Sequence, residues 1–252
     1  MKFNLVVQAV ASELQSIEQK HEEFMRSIAG LPQPWGATNR VAAPDPGSEL
    51  CASVKVSKFL GKGLKGDVIY QFRRPFRDSG SEDDSMFVSF NPDKIDYPVL
   101  IDYVFPKYVE GFGAYRAEIY DEEFIFLDHQ RKSELRINSR HSVYRVPQVS
   151  YFSERLCRAA FGLSCAEIVE RLKSSVESVR EEHNGVFIVI TRDVLNTHVM
   201  DPLCWKIKGL LSSVVEQADD GLGMRAYVSV DRRSGPSRYG YPQVGNRGVA
   251  SL

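Results

Sequence analysis

Apolar and polar residues alternate from Phe3 to Val10, the period of a half-buried strand. A longer period follows: Leu14, Ile17, His21, Phe24 and Ile28 recur every three or four residues. Ser12 with Gln15 reads as a capping box opening a helix that carries this stripe. Between Gly30 and Gly47 stand Pro32, Pro34, Pro44 and Pro46, which predict a long loop carrying Trp35. The segments ELCASVKVSKF and DVIYQF, joined by the turn LGKGLKG, predict two strands, and SMFVSF a third.

From Asp96 the period lengthens again. Asp96-Tyr97-Pro98 supplies a capping acceptor and a first-turn proline, predicting a helix through VLIDYVFPKYVEGFGAYRAEIY, kinked or broken at Pro106 and loosened at Gly111 and Gly113. EEFIFL and SVYRV are strand candidates. Ser153 and Ser164 open two short helices that meet at Gly162, the second with a capping box to Glu167. Asn184-Gly185 predicts a type I′ hairpin between two strand-like runs. Asp201-Pro202 predicts a further helix start, with Leu203, Ile207, Leu210, Leu211 and Val214 on one face. RAYVSV closes the series as a strand, followed by a tail rich in Gly, Pro and Arg. Strands and helices do not alternate regularly and no repeat is present. The pattern is therefore α+β, an antiparallel sheet with helices packed on one face. It divides into a strand-rich part (1–95), a helix-rich part (96–230) and the tail (231–252).

Composition narrows the function classes. Among 252 residues, 32 Lys and Arg nearly balance 33 Asp and Glu, so no global charge draws nucleic acid or an anionic membrane. No apolar run reaches spanning length, the N-terminus lacks the continuous apolar stretch of a signal peptide, and the four cysteines show no CxxC spacing, which together point to a reduced, cytoplasmic chain.

Candidate chemistry is sparse. GKGLKGD lacks the spacing and the following Ser or Thr of a P-loop, and the five histidines form no metal-binding motif. Cys165 and Cys204 sit in first helical turns, where backbone N–H groups and the helix dipole favour thiolate, so a hydrolase using a helix-start cysteine is the enzymatic alternative. Arg73, Arg74 and Arg77 around Phe76, and Arg232, Arg233 and Arg238 near Tyr239 and Tyr241, suit a nucleic-acid accessory protein. The acidic residues after the first cluster oppose that reading. Those residues, Glu82, Asp83 and Asp84 in SGSEDDS, lack calcium-loop spacing and read as a mobile, solvated loop whose replacement by Ser leaves folding intact. Asp121 and Glu122 form a second charged step, expected to face solvent.

The order YPVLIDYVFPKYVEGFGAYRAEIY, VYRVPQVSYFSERLCRAAFGLSCAEIVERL and NGVFIVIT, over about Asp96 to Leu211, resembles bacterial cytosolic immunity proteins, the antitoxins encoded beside secreted polymorphic toxins. The resemblance implies a protein without catalytic duty or cofactor that binds one toxin domain and blocks its active site. On that basis the expected partner contacts are Glu82, Asp83, Asp84, Phe87, Trp35, Asp121, Glu122, Tyr239 and Tyr241. The acidic stretch supplies encounter rate and the aromatics supply affinity.

Overall fold

In a computed structural model, residues 1–45, 51–73, 79–134, 137–212, 214–219 and 225–229 are described. In chain order the elements are β1 (Phe3–Val10), α1 (Ile17–Ile28), β2 (Cys51–Lys55), β3 (Lys65–Gln71), β4 (Asp83–Phe90), α2 (Tyr97–Val99), a π-turn (Leu100–Val104), α3 (Phe105–Phe112), β5 (Arg116–Asp121) and α4 (Glu123–Glu134). They continue with β6 (Val149–Ser153), α5 (Glu154–Phe161), α6 (Cys165–Leu172), β7 (Ser178–Glu182), β8 (Gly185–Val189), α7 (Thr197–Leu211), β9 (Val214–Asp219) and β10 (Arg225–Ser229). Eight strands form one antiparallel sheet in the order β2-β3-β4-β1-β5-β6-β8-β7, and β9 pairs with β10 separately. The α+β class is therefore as expected. Because β1 pairs with both β4 and β5, one sheet joins the strand-rich and helix-rich parts of the chain.

Side-chain alternation sorts the sheet into two faces. Leu5, Val7, Val68, Met86, Val88, Ile119, Val149, Phe187 and Val189 pack with Phe24 and Ile28 of α1 and Phe105, Tyr108 and Phe112 of α3. On the opposite face Phe152, Val186 and Ile188 pack with Leu156, Ile168, Cys204 and Ile207 of α5, α6 and α7. Helices thus occupy both faces of the sheet's second half. None of the buried residues of this second cluster comes from β1 to β4. There the outward positions Val6, Gln8, Ile69, Ser85 and Phe87 are half-exposed, as in an antiparallel sheet with one face toward solvent.

Local signals hold where capping decides and fail where packing does. The capping box of α1 is Ser16 with Gln19, one turn later than Ser12 with Gln15, and Leu14 is left 97% exposed while Ile17, His21, Phe24 and Ile28 are buried. The helix from Asp96 passes Pro106 without breaking: the Phe105 N–H reaches back to the Leu100 carbonyl, and this wider turn absorbs the donor that proline lacks. It ends at Gly113, whose φ of 59° is left-handed, and Arg116–Asp121 becomes a central strand rather than more helix. EEFIFL is the start of α4, not a strand, and SVYRV is irregular; the strand lies just beyond it, at Val149–Ser153.

The caps at Ser153 and Ser164 and the helix junction at Gly162 are as read from the sequence, and Gly162 proves left-handed, with φ 69°. The hairpin turn sits one residue early: His183 and Asn184 carry the positive φ values of 52° and 55° that type I′ requires, and Gly185 pairs with Glu182 in the ladder. Asn196, not Asp201, caps α7, which holds Pro202 inside it, and Val214 belongs to β9. No described helix is long and apolar enough to cross a membrane.

Candidate functional site

The acidic stretch is not a solvated loop. Asp83 and Asp84 open β4, where alternation sends them to opposite faces, and both are buried. On the outer face Asp83 Oδ1 accepts from Arg140 Nε and Nη2 at 2.9 and 2.6 Å, and Asp83 Oδ2 accepts from the Tyr115 hydroxyl at 2.5 Å. Burial pushes the Asp83 carboxyl above its ordinary range, against the Tyr115 and Arg140 hydrogen bonds that favour the charged form. On the inner face Asp84 takes a bidentate pair from Arg73 at 2.8 and 3.0 Å and the Gln71 N–H at 2.9 Å. Neither carboxylate faces solvent. Arg73, one of the candidate phosphate contacts, is used internally. Glu82 is half-buried in the turn before β4, and Gly80 donates to Asn138 Oδ1 at 3.2 Å, tying that turn to the segment carrying Arg140.

A second ionic cluster lies where α4 and α7 meet β5. Arg145, in the irregular segment SVYRV, lies over the rings of Phe124 and Trp205 at 4.4 and 5.0 Å. It donates twice to Asp128, at 2.9 and 2.7 Å, and once to Asp201. Burial alone would lower the Arg145 guanidinium, but the Asp128 hydrogen bonds and the charges of Asp128 and Asp201 outweigh it and hold the group above its ordinary value. Beside it Arg116 donates to Glu118 at 2.6 Å and to the Ser142 carbonyl at 3.1 Å. Arg116, Glu118, Tyr120, Asp128, Lys132 and Arg145 line a cavity of about 160 Å³ whose charges pair with one another. The sequence signal for this cluster was faint: a lone Arg inside the apolar run VYRVP.

Cys157, Cys165 and Cys204 are core residues. Cys165 does begin α6, yet Glu154 occupies that helix start by accepting the Cys165 N–H at 2.8 Å. Burial first, and the Glu154 side chain second, push the Cys165 thiol well up, the reverse of the thiolate expected there. Cys204 lies two turns inside α7 rather than in its first turn, and burial pushes it to about 12 against the opposing charge of Arg145. Cys157, unremarked in the sequence, approaches Cys165 with 3.9 Å between sulfurs.

The remaining partner candidates divide. Trp35 is a core residue, edge-on to Phe90 at 5.3 Å, with its carbonyl accepting from Tyr108 at 2.7 Å. Asp121 is buried and accepts from the Thr197 hydroxyl at 2.9 Å, while Glu122 is half-buried with Lys2 at 3.9 Å. Phe87 stands on the open half of the sheet. It registers with Val6 on one side and Asp67 on the other, and the next outward row runs Gln8, Ser85, Ile69. Asp67 pairs with Lys55 at 2.8 Å at the margin of this face. Tyr239 and Tyr241, with Arg74, Phe76, Arg77, Arg232, Arg233 and Arg238, lie outside the described residues. Among the described residues no group of three or more His, Cys, Asp or Glu is disposed to hold a metal ion.

No protein-family model matches the chain, and no curated protein does. Among solved structures, a Pseudomonas aeruginosa T6SS protein superposes over 90% of this chain and 78% of its own, with 13% sequence identity and a TM-score of 0.43.

Proposed function

We propose that the chain acts by binding rather than by turnover, as a non-catalytic immunity protein that needs no cofactor and occludes the active site of a cognate toxin domain. The observation that carries this reading is the open half of the sheet. Val6, Ile69 and Phe87 share an outward surface over β1, β3 and β4, half-exposed and bordered by Gln8, Ser85 and the Lys55–Asp67 pair. An apolar centre with a polar, hydrogen-bonding margin is the composition of a protein interface core.

The state of the ionisable groups supports binding over catalysis. Asp83, Asp84 and Asp128 are each held by an arginine, so a proton transfer to any of them would break a buried ion pair. At neutral pH burial holds the thiols of Cys157, Cys165 and Cys204 protonated. In this reading Asp83 and Asp84 fix the end of β4 and the contact role passes to Phe87, with Glu82 at its margin.

The test is co-expression with the product of the neighbouring gene, followed by size-exclusion chromatography and a growth assay. Protection of the host with a stoichiometric complex is expected. Phe87→Asp or Ile69→Asp should weaken it at least tenfold, as for a buried interface anchor. No protection by the unaltered chain overturns the immunity reading; protection and affinity unchanged in both variants overturn the choice of face.

A further inference from the structure

The corner between α5 and α6 brings together two thiols that the binding reading leaves unused. Cys157 lies on the buried side of α5 and Cys165 is the first residue of α6, with the left-handed Gly162 turning the chain between them. Their sulfurs are 3.9 Å apart, the Cys165 S–H directed at Cys157 and the Cys157 S–H at the Phe152 carbonyl at 3.6 Å. A disulfide needs about 2.0 Å between sulfurs, so an approach of roughly 2 Å would close it. The helix corner is already fixed by the Glu154 carboxylate on the Cys165 N–H, which holds α5 against the start of α6.

Access differs between the two. Cys157 is fully buried, and Cys165, only 3% exposed, lies at the floor of an open recess of about 230 Å³ lined also by Glu154, Glu181, Glu182, Asn184 and Gly185. A reagent entering that recess meets Cys165 first and finds Cys157 behind it. That order of access is the arrangement of an attacking and a resolving thiol.

We propose that Cys157 and Cys165 form a dithiol modification site, converted by a small-molecule disulfide such as oxidised glutathione into an intramolecular Cys157–Cys165 disulfide. In the alkaline buffer the small deprotonated fraction of Cys165 attacks one sulfur of the reagent, forming a mixed disulfide and releasing one glutathione thiolate. Cys157, deprotonated in the same way, then attacks the Cys165 sulfur and releases the second glutathione. The reagent is reduced by two electrons, the dithiol is oxidised by two, and the two thiol protons pass to the released glutathiones. The link staples α5 to α6 and is independent of what the open sheet face binds.

The experiment treats the folded full-length chain, in a Cys51→Ser background that removes the half-buried β2 thiol, with oxidised glutathione in mildly alkaline buffer, and maps peptides by mass spectrometry without reduction. A Cys157–Cys165 link is expected, with loss of two hydrogen masses, unchanged by Cys204→Ala and accompanied by a higher urea midpoint in the oxidised protein. Cys157→Ala should instead stop at a stable glutathione adduct on Cys165. A persistent Cys165 adduct with Cys157 intact, a link to Cys204, or a link formed only in urea overturns the proposal. Because the decisive map is made on a chain that keeps both thiols, a variant that fails to fold does not blunt the test.

Discussion

Replacing Glu82, Asp83 and Asp84 together by Ser separates the sequence reading from the structure most sharply. For a solvated loop the expected change is within about 0.5 kcal/mol. The structure gives a different figure. Asp83→Ser removes the carboxylate that receives two Arg140 hydrogen bonds, and the Arg140 side chain is only 5% exposed. Breaking one partner of such a buried pair costs about 3–5 kcal/mol. Tyr115 loses its charged acceptor but keeps a contact to Ser139 Oγ at 3.0 Å, which favours the lower end. Asp84→Ser frees Arg73, at 14% exposure closer to water, and strands the Gln71 N–H, a loss of about 2 kcal/mol for charge-assisted bonds. Removing either acid also relieves its repulsion with the other, so the pair falls somewhat short of additivity. The triple variant should therefore lose about 4–5 kcal/mol, close to the whole stability of a marginal domain. Urea unfolding followed by tryptophan fluorescence, with linear extrapolation, measures it. Asp83→Leu combined with Arg140→Met should recover much of the single loss, since an apolar pair can replace a buried ionic one. A triple variant within about 1 kcal/mol of the parent would refute the assignment of these carboxylates to the folded core.

Other outcomes follow from the same coordinates. Trp35→Ala should cost about 3–5 kcal/mol by urea titration, whereas Phe87→Asp, which sets a like charge opposite Asp67, should cost only about 1 kcal/mol while weakening any complex. Cys204 should react with iodoacetamide far more slowly than free cysteine at neutral pH, since burial raises its thiol to about 12; a rate equal to the free amino acid contradicts the placement. His21, buried with Nδ1 at 3.0 Å from the Tyr70 hydroxyl and Nε2 at 3.0 Å from the Val41 carbonyl, has its pKa lowered from 6.5, chiefly by burial. The unfolded chain takes up the proton first as pH falls below 6.5, so stability contributed by neutral His21 declines there. His21→Gln should flatten that slope in urea titrations across the pH range, and an identical slope in both proteins would remove His21 as its source.

What the sequence by itself determined is local. Period-two alternation set β1, and the interiors of β2, β3 and β4 followed from the same rule, because a strand's buried face is written in every second residue. Caps set α5, α6 and the helix at Asp96, because their hydrogen bonds close within three residues. Short apolar runs were not decidable that way: EFIFL reads equally as strand or helix, and its place was fixed when Phe124 and Asp128, one helical turn apart, met Arg145 from 17 residues beyond Asp128. The same holds for the candidate site. A row of acids looks solvated until the partners of Asp83 and Asp84 are known, and Arg140 is 57 residues from Asp83 in the chain. The closeness of Cys157 to Cys165 depends on how the Gly162 corner folds back, and the open sheet face depends on which strands the helices cover. Tertiary structure alone decided these, because burial and ion pairing are set by neighbours in space, and the sequence orders neighbours only along the chain.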